Sequence, residues 1–145
     1  MMGGRKMNLS KNMKSLFIKE LKFVLKNMKS TVIPVEKLYF FSAIYAVVNR
    51  IFNIEFHSEL VFIHNVIQAT HQQISTNLAV ASQGNASALG MPDGLFDGIE
   101  GAVEEMITKI SNNQDICPVL QRISDLAYST TGNGRYLHLK GMLTI

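Results

Sequence analysis

Cysteine is almost missing from this chain, since Cys117 is the one thiol among 145 residues. A lone cysteine cannot form an intramolecular disulfide, so the sequence excludes the small secreted domains that disulfides hold together. It favours a reducing, cytoplasmic setting. No basic residue lies near Cys117 in sequence and Pro118 follows it, so the sequence gives no support for a nucleophilic role of this thiol.

Long apolar runs are missing as well. The strongest, Leu38–Val48, spans 11 residues and is followed at once by Asn49 and Arg50, whereas a membrane-spanning helix needs about 20. We therefore expect no transmembrane segment. The first 19 residues are basic and contain no acidic side chain, but they lack the apolar region and the small-residue cleavage site of a secretory signal.

The remaining composition is that of a folded globular protein. Hydrophobic residues make up 47% of the chain and charged residues 17%, which lies in the range of ordinary soluble domains. A chain of this length can bury about two thirds of its unfolded surface in a single core. We predict one domain, residues 1–145, with no bound cofactor.

Apolar side chains recur at three- and four-residue steps near the amino terminus, which predicts a basic amphipathic helix over about residues 8–30. Within it the sequence KNMKS occurs twice, at residues 11–15 and 26–30. Fifteen residues are close to four helical turns, so both copies place their lysines near the same side of the helix. The two copies therefore reflect helical phase and not a structural repeat.

Four further helices are predicted. Pro34 opens helix two, which extends to about Phe52 and is apolar nearly all round, so we expect it at the centre of the fold. Ser58 begins helix three, Asp93 caps helix four, and Pro118 opens helix five. Together they predict an all-α, antiparallel bundle of four or five helices.

Three features interrupt the regular pattern of the predicted bundle: a long loop, an ambiguous tail and glycines within a helix. Residues 83–94 form a long loop rich in helix breakers. The tail after residue 131 can be read as a strand or as a terminal helix interrupted at Gly141. Gly94, Gly98 and Gly101 lie along one flank of helix four, where they would permit close approach of another backbone and would otherwise cost about 1 kcal/mol each relative to Ala.

Charge is distributed unevenly along the chain. Residues 1–30 contain eight basic residues against one acidic residue, a balance of +7, whereas residues 93–115 have a balance of −5. A lysine-rich helix face can bind phosphate backbones, an acidic membrane or an acidic partner helix, or it can be a solvated outer face. The predicted basic surface consists of Lys11, Lys14, Lys22, Lys26 and Lys29.

The acidic residues of helix four are predicted to form one solvated stripe: Asp93, Asp97, Glu100 and Glu104. Carboxylates at these spacings can hold a divalent cation, but the sequence places no histidine and no second carboxylate-bearing helix to complete a site. We therefore predict no metal site. The stripe can also pair with the basic helix, within the fold or between subunits, at about 0 to 1 kcal/mol for each exposed ion pair.

Helix three has no formal charge after its first turn. No Asp, Glu, Lys or Arg occurs in the 33 positions from Leu60 to Pro92, and depletion of charge is typical of the core of a subunit interface. We predict that this helix is buried on more than one side, by other helices or by a second subunit. The predicted interface residues are His64, Gln68, His71, Gln72 and Ser75.

Histidines recur at seven-residue intervals beside this helix, at His57, His64 and His71. Seven residues rise about 10 Å along a helix, so two of these rings cannot bind one ion. They are read as solvated or hydrogen-bonded side chains. If His64 and His71 lie in an interface, their protonation near pH 6 would disfavour it.

One stretch has a possible catalytic meaning. Arg50-Ile-Phe-Asn-Ile-Glu-Phe-His57 contains an Arg followed, after six residues, by a His, and it resembles the Arg–His signature of HEPN-type helical ribonucleases. That resemblance implies a dimeric RNA-cleaving bundle in which Arg50 and His57 act on the 2′-hydroxyl and the scissile phosphate. Ile51 departs from the pattern, since a polar residue is usual there, and Asn53 is expected to break the helix between the pair.

These observations favour a small non-enzymatic interaction or regulatory protein that acts as a homo-oligomer, with a further protein partner possible. Two alternatives stay open. One is a nucleic-acid-binding module that uses the basic helix, and the other is a HEPN-like ribonuclease that uses Arg50 and His57.

Overall fold

The computed structural model describes residues 9–80 and 95–129. Within these ranges the chain is helical and contains no strand, which confirms the all-α bundle. The predicted loop at 83–94 and the predicted tail after residue 131 lie outside the described residues. The helices are α1 (Lys11–Lys29), α2 (Pro34–Ile54), α3 (Ser58–Val80), α4 (Leu95–Ser111) and α5 (Cys117–Ser129).

The helices form a ring around the core. α1 packs against α2 and α4, α3 packs against α2 and α5, and α4 packs against α5. The expectation that helix two lies at the centre is therefore wrong. Its outer side is open to solvent, where Val35 is 61% and Tyr39 72% exposed. The expectation failed because a helix that is apolar all round does not show which of its sides the neighbouring helices cover.

The two ends of the bundle differ. At one end the Ser10 hydroxyl caps α1 by accepting from the Met13 N–H at 3.3 Å, and the Ser10 N–H donates to the Glu55 carboxylate at 2.7 Å. We call this the capped end; it holds the start of α1 and the connection from α2 to α3. At the other end, the turn end, residues 30–33 connect α1 to α2.

The core is built from the inward sides of all five helices. Its largest fully buried side chains are Phe17, Leu21, Met28, Phe41, Ile44, Ile51, Leu60, Ile63, Ile67, Ile74, Ile99 and Met106. Burial of each such side chain stabilises the fold by about 1.5–3 kcal/mol. The ring is thus held together mainly by this shared apolar centre.

Gly98 and Gly101 have different surroundings on α4. A Cβ placed on Gly98 would lie 3.1 Å from Cδ2 of Leu126 on α5, whereas one on Gly101 would meet nothing within 4 Å. The close approach predicted for this flank exists at Gly98, where a side chain and not a backbone is the neighbour. At Gly101 the flank is open, and Gly94 lies outside the described residues.

A buried ion pair joins three helices. Lys37 of α2 pairs with Glu100 of α4, and their side chains are 13% and 9% exposed. The Lys37 Nζ also donates to the Met28 carbonyl oxygen at 2.8 Å, which lies in the last turn of α1 where carbonyl groups lack helical partners. The prediction of a solvated acidic stripe is therefore wrong at Glu100, although Asp97 and Glu104 are exposed.

Candidate functional site

One side of α3 is exposed from Val61 to Thr76 and carries no charge. Its exposed residues are Val61, Asn65, Gln68, Ala69, Gln72, Ser75 and Thr76. They recur mostly at steps of three and four residues, so they form one continuous stripe, which we call the neutral face. Within the fold α2 and α5 pack against α3, and the described residues leave the neutral face uncovered.

The predicted interface residues divide between the neutral face and its edge. Gln68, Gln72 and Ser75 are exposed, whereas His64 and His71 are half-buried. The His64 ring stands edge-on to Tyr45 of α2, with 4.2 Å between ring centroids and an angle of 62° between the planes. The histidine therefore belongs to the contact of α2 with α3.

Beside His64 lies a small cavity of about 140 Å³, lined by Val48, Asn49, Phe52, Val61 and His64. The third histidine, His57, precedes α3 and its Nε2 lies 3.0 Å from the Glu55 carboxylate. The described residues contain no group of three or more metal-binding side chains. The seven-residue spacing thus places these rings in separate environments.

The five residues of the predicted basic surface point in two directions. Lys14 donates to the Ser111 carbonyl oxygen at 3.5 Å, and Lys29 pairs with Glu104 at 3.5 Å. These two lysines contact α4 and its carboxyl end, so part of the expected pairing of basic and acidic helices occurs within the fold.

The other lysines of α1 face solvent. Lys11, Lys22 and Lys26 are exposed, as is Lys19, which the predicted set did not contain. None of the four has an ion-pair partner within residues 9–80 and 95–129. We call them the basic ridge. Its position on the outer side of the bundle follows from the amphipathic pattern of α1.

Large apolar side chains stand next to this ridge. They are Phe23 (66% exposed), Val32 (89%), Ile33 (48%), Val35 (61%) and Tyr39 (72%). This apolar patch was missed from the sequence, because only Pro34 was considered in this stretch, as the start of helix two. The available signal was a short connection composed of apolar residues where polar ones are usual.

A groove of about 480 Å³ runs between α1 and α2 on the same side. Phe23 lines it together with Ala43, Ala46 and Val47, and the ion pair of Glu20 with Arg50 closes it toward the capped end. Since Tyr39 and Ala46 are seven residues apart, they lie on one side of α2. The groove therefore extends the apolar surface from Phe23 along the exposed side of α2.

Arg50 and His57 are each bound to a different carboxylate. Arg50 lies on α2 and contacts Glu20 of α1, whereas His57 lies in the connection to α3 and contacts Glu55. The expected helix break between the pair is present, but it follows Ile54 and does not occur at Asn53. The structure does not bring the two residues of the ribonuclease hypothesis into contact.

Glu55 links the capped end together. The backbone N–H of Ser10 donates to its carboxylate and lowers the pKa of Glu55 below its usual 4.5, with smaller effects from the Ser10 side chain and from His57. A carboxylate that accepts hydrogen bonds is favoured in its charged form. This carboxylate therefore stabilises the start of α1 against the end of α2 at neutral pH.

Comparisons with protein-family models, with curated proteins and with solved structures find no match for this chain. Among the described residues, none of the helices has the length and apolar character needed to cross a membrane.

Proposed function

We propose that the protein is a small helical interaction protein that acts as a homo-oligomer, and that the neutral face of α3 is the contact between subunits. The observation that carries the proposal is that this face is exposed over several turns yet has no formal charge. Solvated helix faces are usually kept soluble by charged residues. Their absence here needs a physical reason.

A two-fold interface supplies such a reason. In a two-fold dimer the same surface patch meets itself, so a charge near the axis faces a like charge from the other copy. Like charges brought together at an interface cost several kcal/mol. A face without charge avoids this cost, whatever the angle at which two copies cross.

The side chains of the neutral face also suit self-association. Asn65, Gln68 and Gln72 each carry both donors and an acceptor in one amide, so each can hydrogen-bond to its own kind. Val61 and Ala69 add apolar surface between them. Charge depletion in the centre of the patch agrees with the composition of known interface cores.

Charge introduced into the neutral face tests the proposal. We expect the wild-type chain to sediment as an oligomer at micromolar concentration and Gln68→Glu/Gln72→Glu to sediment as a monomer with unchanged helicity. The matched control is Gln114→Glu, which makes the same chemical change at an exposed position in the α4–α5 connection. That variant should sediment like the wild type.

Mixing opposite variants identifies the contact. Gln68→Lys/Gln72→Lys should be monomeric alone and should form heterodimers when mixed with Gln68→Glu/Gln72→Glu, because the unlike charges then face each other. A wild-type chain that is monomeric at high micromolar concentration would refute the proposal. An oligomer that both double variants leave unchanged would place the contact on another surface.

A further inference from the structure

The α1–α2 hairpin carries the most prominent unexplained surface outside α3. It combines the basic ridge with the apolar patch. A depression of about 380 Å³ near the turn end is lined by two lysines of the ridge, Lys22 and Lys26, and by Leu25, Lys29 and Ser30. Exposed apolar side chains beside lysines mark a surface that contacts a protein or a membrane.

The apolar patch protrudes and is not enclosed. Val32 is 89% exposed and stands in the turn itself, and Val35 lies one residue beyond Pro34 in the first turn of α2. The apolar lining of the groove between α1 and α2 includes Phe23, Ala43, Ala46 and Val47. A helix seated in that groove would leave the side chains of the turn in water, whereas a flat apolar layer would cover them.

The charge of this surface is positive. Lys19, Lys22 and Lys26 have no acidic partner among the described residues, and Glu20 is paired with Arg50. Glu36, which accepts a hydrogen bond from the Thr31 hydroxyl, is the one carboxylate of the first turn of α2. Three lysines against Glu36 leave a local excess of +2, which is complementary to an anionic surface.

We propose that the α1–α2 hairpin binds the surface of an anionic lipid bilayer. Val32, Ile33 and Val35 enter the boundary between headgroups and acyl chains, and Lys22 and Lys26 lie among the anionic headgroups. Phe23 and Tyr39 lie at the headgroup level, where aromatic side chains are enriched. A nucleic acid would engage the lysines alone and leave the apolar turn in water, so the lipid surface explains more of what is exposed.

Sedimentation with vesicles tests this proposal on the full chain. Vesicles of phosphatidylcholine with about 30% phosphatidylserine should bind the protein, and vesicles of phosphatidylcholine alone should bind it far more weakly, since each lysine near an anionic surface strengthens binding about fivefold. Binding to the anionic vesicles should weaken at high salt, because salt screens exposed charges.

Two pairs of matched variants locate the contact. Lys26→Gln should lower the vesicle partition coefficient about fivefold. Lys109→Gln, in the last turn of α4 at the capped end of the bundle, should leave it unchanged. Val32→Ser should lower it about fivefold because apolar burial is lost. Ile54→Ser removes an apolar side chain that is 61% exposed at the capped end and should have no effect.

Three results would overturn the proposal: no sedimentation with anionic vesicles, equal sedimentation with both kinds of vesicle, or equal effects of a variant and its control. Salt-sensitive binding to duplex DNA or to RNA that Val32→Ser leaves intact, with no vesicle binding, would instead assign the lysines to phosphate backbones. The test is independent of the oligomer, since Gln68 and Gln72 lie on α3.

Discussion

Lys37→Met removes one partner of the buried ion pair and is expected to destabilise the fold strongly. The Glu100 side chain is 9% exposed, and the change leaves its carboxylate without a cation. It also removes the donor to the Met28 carbonyl oxygen. Breaking a buried ion pair from one side costs about 3–5 kcal/mol. Because both side chains retain some exposure, we expect about 3 kcal/mol, near the lower limit of that range.

The assay is urea unfolding followed by far-UV circular dichroism, with a thermal scan alongside. About 3 kcal/mol corresponds to a fall in Tm of about 6–12 °C for a chain of this size. Lys37→Met/Glu100→Leu should regain most of the loss, since a buried pair replaced by apolar residues of similar size is often neutral or stabilising. Together with the wild type and the single variant Glu100→Leu, these two variants complete a double-mutant cycle that gives the coupling energy of the pair.

The matched control is the exposed pair of Lys29 with Glu104, whose side chains are 50% and 65% exposed. It also involves a lysine and a glutamate and reaches the same helix, α4. Lys29→Met should cost no more than about 1 kcal/mol, because exposed ion pairs contribute little. Equal losses for Lys29→Met and Lys37→Met would refute the reasoning, since burial would then not determine the strength of the pair.

Three smaller effects are expected. Gly101→Ala should raise the free energy of unfolding by about 1 kcal/mol through helix propensity. Gly98→Ala should raise it less, or lower it, because the Leu126 side chain must move. Urea unfolding of both variants measures the two changes, and equal gains would contradict the close contact of Gly98 with Leu126. Thr70→Val should stabilise the fold by about 1 kcal/mol in the same assay, because the fully buried Thr70 hydroxyl finds no hydrogen-bond partner among the described residues. A loss of stability would show that the hydroxyl is satisfied. Because the pKa of Glu55 is lowered in the fold, its carboxylate stabilises the fold at any pH above the usual pKa of 4.5, and this contribution is lost as the pH falls through the folded-state pKa. Glu55→Gln should therefore be less stable than the wild type at neutral pH and approach the wild-type stability in acid. A stability difference independent of pH would be inconsistent with this account.

The helices themselves could be predicted from local signals. Pro34 marks where α2 begins, because a proline lacks the N–H that the first helical turn leaves unpaired. Ser58 marks the start of α3 to within one residue; it was expected as the N-cap but is the first helical residue, and its hydroxyl donates to Glu59. The position of a helix in the bundle carries no such local signal. Helix two was expected at the centre because of its apolar composition, yet the structure leaves Tyr39 in solvent.

The candidate surfaces were predicted only in part, for a related reason. The spacing of Glu100 within α4 is that of a solvated residue, and its burial depends on Lys37, which lies 63 residues away in the sequence. Likewise, the contacts of Lys14 and Lys29 with α4 separate them from the exposed lysines. A periodic pattern identifies a helix face, but only the arrangement of the helices shows what that face meets.

The order of helices around the ring has a consequence for how the chain folds. α1, α2 and α3 each pack beside the next in sequence, so this part can assemble through contacts between neighbouring segments. Closure requires α4 to reach α1, and the pair of Lys29 with Glu104 joins residues 75 positions apart. Contacts between distant segments form slowly because a long loop must first be closed. We therefore expect the three-helix part to gain protection from hydrogen exchange first, and the α1–α4 seam to form last and open first.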